Sequence, residues 1–550
     1  MDRKTLTGFI LIGAILLLWP SYLELISPSE RESKNLPSTD TTIVEKHSKQ
    51  NQKVLKKTGR PKNNIESETL VVDGGAYMAQ INNLAGGSIF SFNLKKHLKS
   101  SEESLGLIDN ENKKNLVVSF INQSGEEVVL DEPWSLVSGG SVVLSEENSS
   151  SSMVFETAYM GKLVTKKLTF YYNSYEVDVD VNLREIKESS LDEKYVLSWV
   201  GGLPEHEGSQ DAMFMEGLVS QVGSIESFRV GSAGFFGSSD TKNISEDTKK
   251  YVGLVDFAGY RTKYFGVFFV PQKSDMVELY KYPSRSRAGL DINITQDINL
   301  EKNKLYLGPL DYTSVEALGV GLEEKILGWQ WLSSVSWLVY SIMILLYGLI
   351  PNYGIVVVLF AVLIKLVTYP LMAKQLRSSK KMQEISPIMN NIKIKYKNNP
   401  ALQQQKMAAL FQEHKINPLA GCLPLLIQMP VLMSVFMVFR NTIEFRGESF
   451  VFWINDLSAA DTLFSVGGFP VNILPFLMSA SMYYTMKLSS ASQPAGGDPA
   501  QEATQQMMKY MFPGMMFFLF YSFPSGLNLY YLCFNVMQIV QQKIINNEKS

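Results

Sequence analysis

Residues 354–373 run for twenty positions with a single charged side chain, Lys365. A bilayer core ~30 Å thick takes about 20 apolar residues as a helix. Inside hydrocarbon only a helix or a closed barrel satisfies its own backbone. Four later runs have the same character, at 419–439, 470–487, 507–523 and 526–542, and none of the five holds an Asp or Glu. A sixth, 6–26, follows Arg3 and Lys4. Its rival reading is a cleaved signal peptide. The residues after it, Ser27-Pro28-Ser29-Glu30, show no small-residue cleavage pattern, which favours an uncleaved anchor. The runs together predict a polytopic α-helical membrane protein with six transmembrane helices.

Charge orients the spans. Segment 374–418 carries nine Lys and Arg against two acids, whereas 441–469 carries Arg446 against Glu444, Glu448, Asp456 and Asp461. Short basic loops stay in the cytoplasm. That rule puts both termini inside and residues 27–350 in the periplasm. Residues 316–350 then form an interfacial region. Its core, 328–350, carries Trp329, Trp331, Trp337 and Tyr340 early and reads as an amphipathic helix on the outer leaflet. A seventh span there is the alternative, but it would move the basic segment outside. Within that segment Met382, Ile385, Met389, Ile392 and Tyr396 step by three and four, which predicts a helix. A break at Lys397-Asn398-Asn399-Pro400 turns it into a cytoplasmic helical hairpin. Its apolar stripe is either the hairpin's own seam or a docking surface.

Residues 27–66 are polar and proline-punctuated, a flexible linker. From 67 to 315 the period changes to two. Val177, Val179, Val181 and Leu183 alternate with Asp178, Asp180 and Asn182, the pattern of a half-buried strand. Asn173-Ser174 divides two such runs as a hairpin turn. Residues 67–315 thus predict a large extracytoplasmic all-β sandwich, and 351–550 a five-helix core.

Catalytic signatures are missing. There is no phosphate-binding glycine loop, no serine elbow and no second histidine near Glu413-His414 for zinc. Two cysteines, both in apolar runs, and four scattered histidines give no cofactor or metal site, and a net charge of −3 gives no sign of nucleic-acid binding. The chain does not read as an enzyme. Lys365 stands out instead. It lies nine residues from Lys374, about 13 Å along a helix, too deep for its side chain alone to reach water. Such a residue faces protein or a wet cavity and marks function; a lysine bonded to neighbouring carbonyls is the plainer reading. Gln428, Asn528, Asn535 and Gln538 could line the same cavity or simply join helices by hydrogen bonds. A solute transporter would also use such a site, but the five spans show no internal repeat.

Four stretches, KLVTYPLMAKQ at 365–375, NPLAGCLPLLIQMPVLMSVF at 417–436, FWINDLSAAD at 452–461 and FPSGLNLYYL at 523–532, closely resemble the YidC membrane-protein insertase family. The layout of anchor, outer β-domain, interfacial helix and five spans is similar to its diderm-bacterial form. The resemblance implies insertion and folding of integral membrane proteins in the bacterial inner membrane, through a hydrophilic groove with a central positive charge. Lys365 stands where the family carries arginine, and the implied client-contact positions are Gln428, Met429, Leu432, Tyr530 and Tyr531. The partners it implies are nascent membrane proteins, the Sec translocon and the lipid bilayer. Some relatives dock the ribosome with a basic tail. Here only Lys543, Lys549 and Glu548 stand at that end, which shifts ribosome docking to the 374–418 hairpin. The expectation for the site is a lysine amine kept wet within the bilayer, with Met429, Leu432, Tyr530 and Tyr531 as the surface along which a client helix slides.

Overall fold

The computed structural model describes residues 68–547 apart from 97–104, 109–113, 231, 234–238, 241–244, 284–287, 329, 398, 415–422, 468 and 492–498. The anchor expected at 6–26, the linker at 27–66 and Cys422 lie outside the described residues.

Alternating side chains build the first half of the molecule. The hairpin read around Asn173 is present, with Lys162–Tyr171 antiparallel to Glu176–Asn182 and Phe170 opposite Val177. Asn173 takes a positive φ of 54°, a conformation asparagine tolerates. Val177, Val179 and Val181 are fully buried, while the aspartates between them stay half-exposed. This hairpin lies inside a nine-stranded antiparallel sheet that runs from Ser224–Arg229 at one edge to Ser135–Ser138 at the other. A six-stranded antiparallel sheet faces it. The two close tightly at Gly217, where a Cβ would come within 2.6 Å of Leu279 and 3.1 Å of Leu290. A third sheet has five strands. In it Thr69–Asp73 pairs parallel with Val142–Val143, and that partner is too short to show alternation. One continuous apolar core, including Phe92, Phe155, Trp199 and Leu279, runs through the sheets.

The second half is helical: α1 Ser333–Leu349, α2 Tyr353–Glu384, α3 Ser386–Lys395, α4 Pro400–Glu413, α5 Leu423–Asn441, α6 Leu474–Ala491, α7 Pro499–Phe520 and α8 Ser525–Asn547. Among the described residues one stretch, Tyr353–Lys374, is long and apolar enough to cross a membrane, and Ser333–Leu349 and Met429–Asn441 are shorter apolar helices. Of the runs expected at 470–487, 507–523 and 526–542, the first is corrected at its start, where 470–472 belong to a strand and the helix begins at Leu474, and the second is helical to Phe520; these helices mix polar residues such as Ser481, Thr485, Asn528, Asn535 and Gln538 among apolar ones. Length and composition alone therefore do not establish them as spans. α8 packs against α2 and α6, α7 against α6, and α1 against α5 and α2.

α1 departs from the amphipathic expectation. Ser336, Val339, Tyr340 and Met343 form its buried face, but Trp337, Leu338, Ile344, Leu345 and Leu349 are exposed on the rest. Its outward surface is apolar, as that of a lipid-facing helix is. In the basic hairpin, Asn399 caps α4 by accepting from the Leu402 amide at 3.2 Å. Ile385 and Leu410 bury against Met389, Ile392, Met407 and Phe411. The described part of the stripe is thus the seam between α3 and α4. Lys395, Lys397 and Lys406 remain exposed.

Lysine also occurs inside the β core. Lys166 is completely buried. Its Nζ donates to the carbonyls of Ala85 and Leu116, two residues held at positive φ, and sits 5.2 Å from the Trp134 ring centroid. Desolvation pulls its pKa down to about 7. The sign follows from proton linkage: between that value and the lysine's ordinary range the unfolded chain binds more protons, so stability rises with pH. We expect Lys166→Met to flatten the rise in Tm of the β region between pH 7 and 10. An unchanged slope would mean that other groups set it.

Candidate functional site

The inward face of α2 leads to the lysine. Tyr353, Val356, Val357, Phe360 and Ala361 are buried one helical turn after another, and the next position on that face is Lys365. Its Nζ lies 3.5 Å from the centroid of Phe534 and donates to Gln538 Oε1. Those two residues are one turn apart on α8. Thr368, one turn further on α2, returns its hydroxyl to the Ile364 carbonyl at 2.7 Å. The expectation of an amine open to water is corrected here: Lys365 is only 3 % exposed. The reason is geometric, because α8 lies over it and supplies the Gln538 amide, one of the groups expected beside it, and the Phe534 ring, which sequence spacing did not assign.

Beyond Gln538, α8 carries further polar side chains along its length. Asn528, Asn535, Gln538 and Gln542 fall on one face of α8, separated by whole or near-whole turns. Among the described residues, Asn528 Oδ1, Tyr530 OH, Asn535 Nδ2 and Gln541 Nε2 on α8 are buried with no hydrogen-bond partner, as are Ser434 Oγ on α5 and Ser479 Oγ on α6. A buried polar atom left unpaired costs about 1–3 kcal/mol. Such atoms are normally matched by water or another polar group.

The expected client surface divides in two. Met429 is 52 % exposed, and Leu432 and Tyr531 are half-buried against the bundle core. Tyr530 does not belong to that surface. It is fully buried, with ring centroids 6.0 Å from Phe360, 6.3 Å from Phe439 and 6.0 Å from Phe534. Adjacent helix residues point about 100° apart, so Tyr530 and Tyr531 could not share one environment. The Gln428 side chain lies outside the described residues.

Sequence reasoning missed the junction between the two halves. Arg446, five residues beyond α5, donates from Nε to Glu207 Oε1 of the β region at 2.8 Å, with both side chains almost wholly buried. Arg440 lies 4.9 Å from the Phe214 ring centroid, and Ile443 is part of the β core. Burial lowers the pKa of nearby Lys263 to about 8. Desolvation likewise raises that of Glu444 to about 7, and Glu444 accepts the Tyr340 hydroxyl of α1 at 2.6 Å. The only trace of this in the sequence was a lone arginine among acids. The FWINDLSAAD stretch has a structural role at the same end. Asp461 accepts from the amides of Ile473 and Leu474 at 2.9 and 2.6 Å and from the Trp453 indole at 3.1 Å, capping α6. Ser525, at the start of α8, donates its hydroxyl to the Asp456 carbonyl at 2.8 Å.

Residues 345–550 match the family described as 60Kd inner membrane protein, and residues 69–340 match the family described as YidC periplasmic domain. Among relatives named membrane protein insertase YidC, that of Chlorobaculum parvum is 31 % identical over 99 % of this chain and 94 % of its own. That of Prosthecochloris aestuarii is 30 % identical over 100 % of this chain and 95 % of its own.

The junction makes a stability prediction. Arg446→Ala leaves Glu207 buried without its principal cation, a change that costs about 3–5 kcal/mol in comparable pairs. Replacing both, Glu207→Gln with Arg446→Met, leaves no charge stranded and should lose much less. Thermal unfolding of the purified chain in detergent reads the difference, and equal losses would show that the ion pair is not what the junction depends on.

Proposed function

The chain belongs to the YidC family of membrane protein insertases, and on that premise we propose that it moves client helices into the bacterial inner membrane by way of the polar interior between α2 and α8. The family is an inner-membrane one with a periplasmic domain, so the bilayer and nascent membrane proteins are its working partners. In the reading offered here α2, α5, α6, α7 and α8 span the membrane together with an N-terminal anchor. Both termini and the α3–α4 hairpin face the cytoplasm, and the β region lies in the periplasm. The exposed lysines of that hairpin fit a ribosome surface, and cooperation with the Sec translocon is part of the same proposal.

The mechanism needs no nucleotide. A client's apolar helix gains ~25 cal/mol per Å² on leaving water. Its polar flank is the obstacle, because that flank must cross ~30 Å of hydrocarbon. The observation that carries the reading is the buried Lys365 amine bonded to Gln538 of α8, with the unpartnered amide nitrogen of Asn535 on the same face of that helix. Such an interior accepts water or a client's backbone more readily than it packs dry. The lysine adds attraction for an acidic flank in a medium where charges interact strongly. Its bond to Gln538 is the resting arrangement, and a client carboxylate would replace the neutral amide with a charged acceptor, a stronger partner. Met429, Leu432 and Tyr531 then give the client helix an apolar side on its way to lipid. Met429 does so with a flexible thioether that adapts to many partners.

Two measurements test this. Lys365→Arg should keep insertion of clients with acidic flanks close to normal, while Lys365→Ala should lower it several-fold in proteoliposomes. Equal insertion by Lys365→Ala and the unaltered chain would remove the charge from the mechanism. A photocrosslinker placed at Met429 should capture a stalled nascent membrane protein, and one placed at Tyr530 should not, since that position faces the core.

A further inference from the structure

Between α5 and α6 the chain forms a small hairpin, Thr462–Val466 antiparallel to Phe469–Asn472, with Val466 opposite Phe469. Every residue of its first strand is exposed, including Leu463, Phe464 at 52 % and Val466 at 63 %. No charged residue occurs anywhere in 462–472. Two isolated strands are marginal in water, and edge strands that face water are normally protected by charge. Apart from Pro470, this hairpin has no such protection.

Its position is fixed. Asp461 caps α6 immediately before the first strand. Thr462 donates to Asn472 Oδ1 at 2.8 Å, and the Asn472 amide donates to the Tyr521 carbonyl just past α7 at 2.6 Å. The Tyr521 hydroxyl in turn donates to the Pro470 carbonyl. The hairpin is thereby tied to the ends of α6 and α7. Those ends are apolar and exposed as well, through Phe476 and Leu477 in the first turn of α6 and Phe518 in the last turns of α7. Exposed apolar side chains thus occur both on the ends of two bundle helices and on the first strand of the hairpin tied to them.

We propose that this hairpin inserts its Phe464, Val466 and Leu463 side chains into the acyl boundary of the outer lipid leaflet, holding the outer ends of α6 and α7 at fixed depth. The inference rests on the membrane-spanning reading of the bundle given above. Lipid fits better than a protein partner for two reasons. The patch sits on a hairpin tied by hydrogen bonds to the ends of helices that the bilayer covers in that reading. A few side chains on two short strands also offer far less than the ~1,000 Å² a specific protein interface buries. The unpaired outer edges of the strands set the depth, because their amides and carbonyls need water. The backbone therefore stays at headgroup level while the side chains reach inward.

The test is spin-label accessibility in the full chain, with Cys422→Ser and Cys533→Ser, reconstituted into vesicles of phosphatidylethanolamine and phosphatidylglycerol. A nitroxide is placed in turn at Phe464→Cys, at Leu366→Cys on the exposed side of α2, and at Val252→Cys on the surface of the β region. The expected result is that labels 464 and 366 collide several-fold more with oxygen than with a nickel chelate, and that label 252 shows the reverse. Chelate access at 464 with shielding at 366 overturns the hairpin proposal and leaves the spanning bundle intact. Chelate access at both overturns both. Low access to both reagents at 464 marks a protein contact and also overturns it.

Discussion

A lysine amine enclosed by a helix bundle is the constraint from which the rest of the helical half follows. Lys365 ends an otherwise apolar face of α2, and among the described residues α8 holds it, through Gln538 and the ring of Phe534. Removing a charged amine from water is costly unless something polar meets it. α8 therefore cannot be an ordinary apolar helix. It carries amides on one face and aromatic residues beside them, and it is more polar than the Tyr353–Lys374 stretch of α2. The same compromise makes α8 hard to identify as a span by composition and useful as the wall of a polar interior.

The β region is coupled to this bundle at one end. Glu207 and Arg446 meet out of water, Ile443 enters the β core, and Glu444 binds Tyr340 of α1. Ile443, Glu444 and Arg446 follow α5, the helix that also carries Met429 and Leu432. A charged pair buried at a junction adds little net stability compared with apolar packing, but a mismatched one is penalised heavily. Its effect here is to fix how the end of α5 sits on the sheets. Asp461 and Ser525 do comparable work for α6 and α8, so the loop between α5 and α6 acts as the frame in which three helix ends are set.

Much of this was legible beforehand. Alternation found the strands around Val177, a step of three and four found the seam of the basic hairpin, and one charge in a twenty-residue apolar run marked Lys365. Four motif stretches carried the family. What failed had a common cause. Tyr530 and Tyr531 are neighbours in sequence with different environments, and nothing but the packing of α8 tells which one faces Phe360 and Phe439. The wetness of Lys365 was likewise a property of what lies over it, and Gln538 is 173 residues away along the chain.

The sequence by itself determined the alternating strands around Val177, the helices of the basic hairpin and where the lone cation lies along its helix. These depend on periodicity and on distances along one chain segment. Tertiary structure alone decided that Lys365 is enclosed, that Tyr530 is core and Met429 surface, and that Glu207 is matched to Arg446. Each of these is a meeting of residues far apart in sequence, and burial is a sum over neighbours that no local pattern contains.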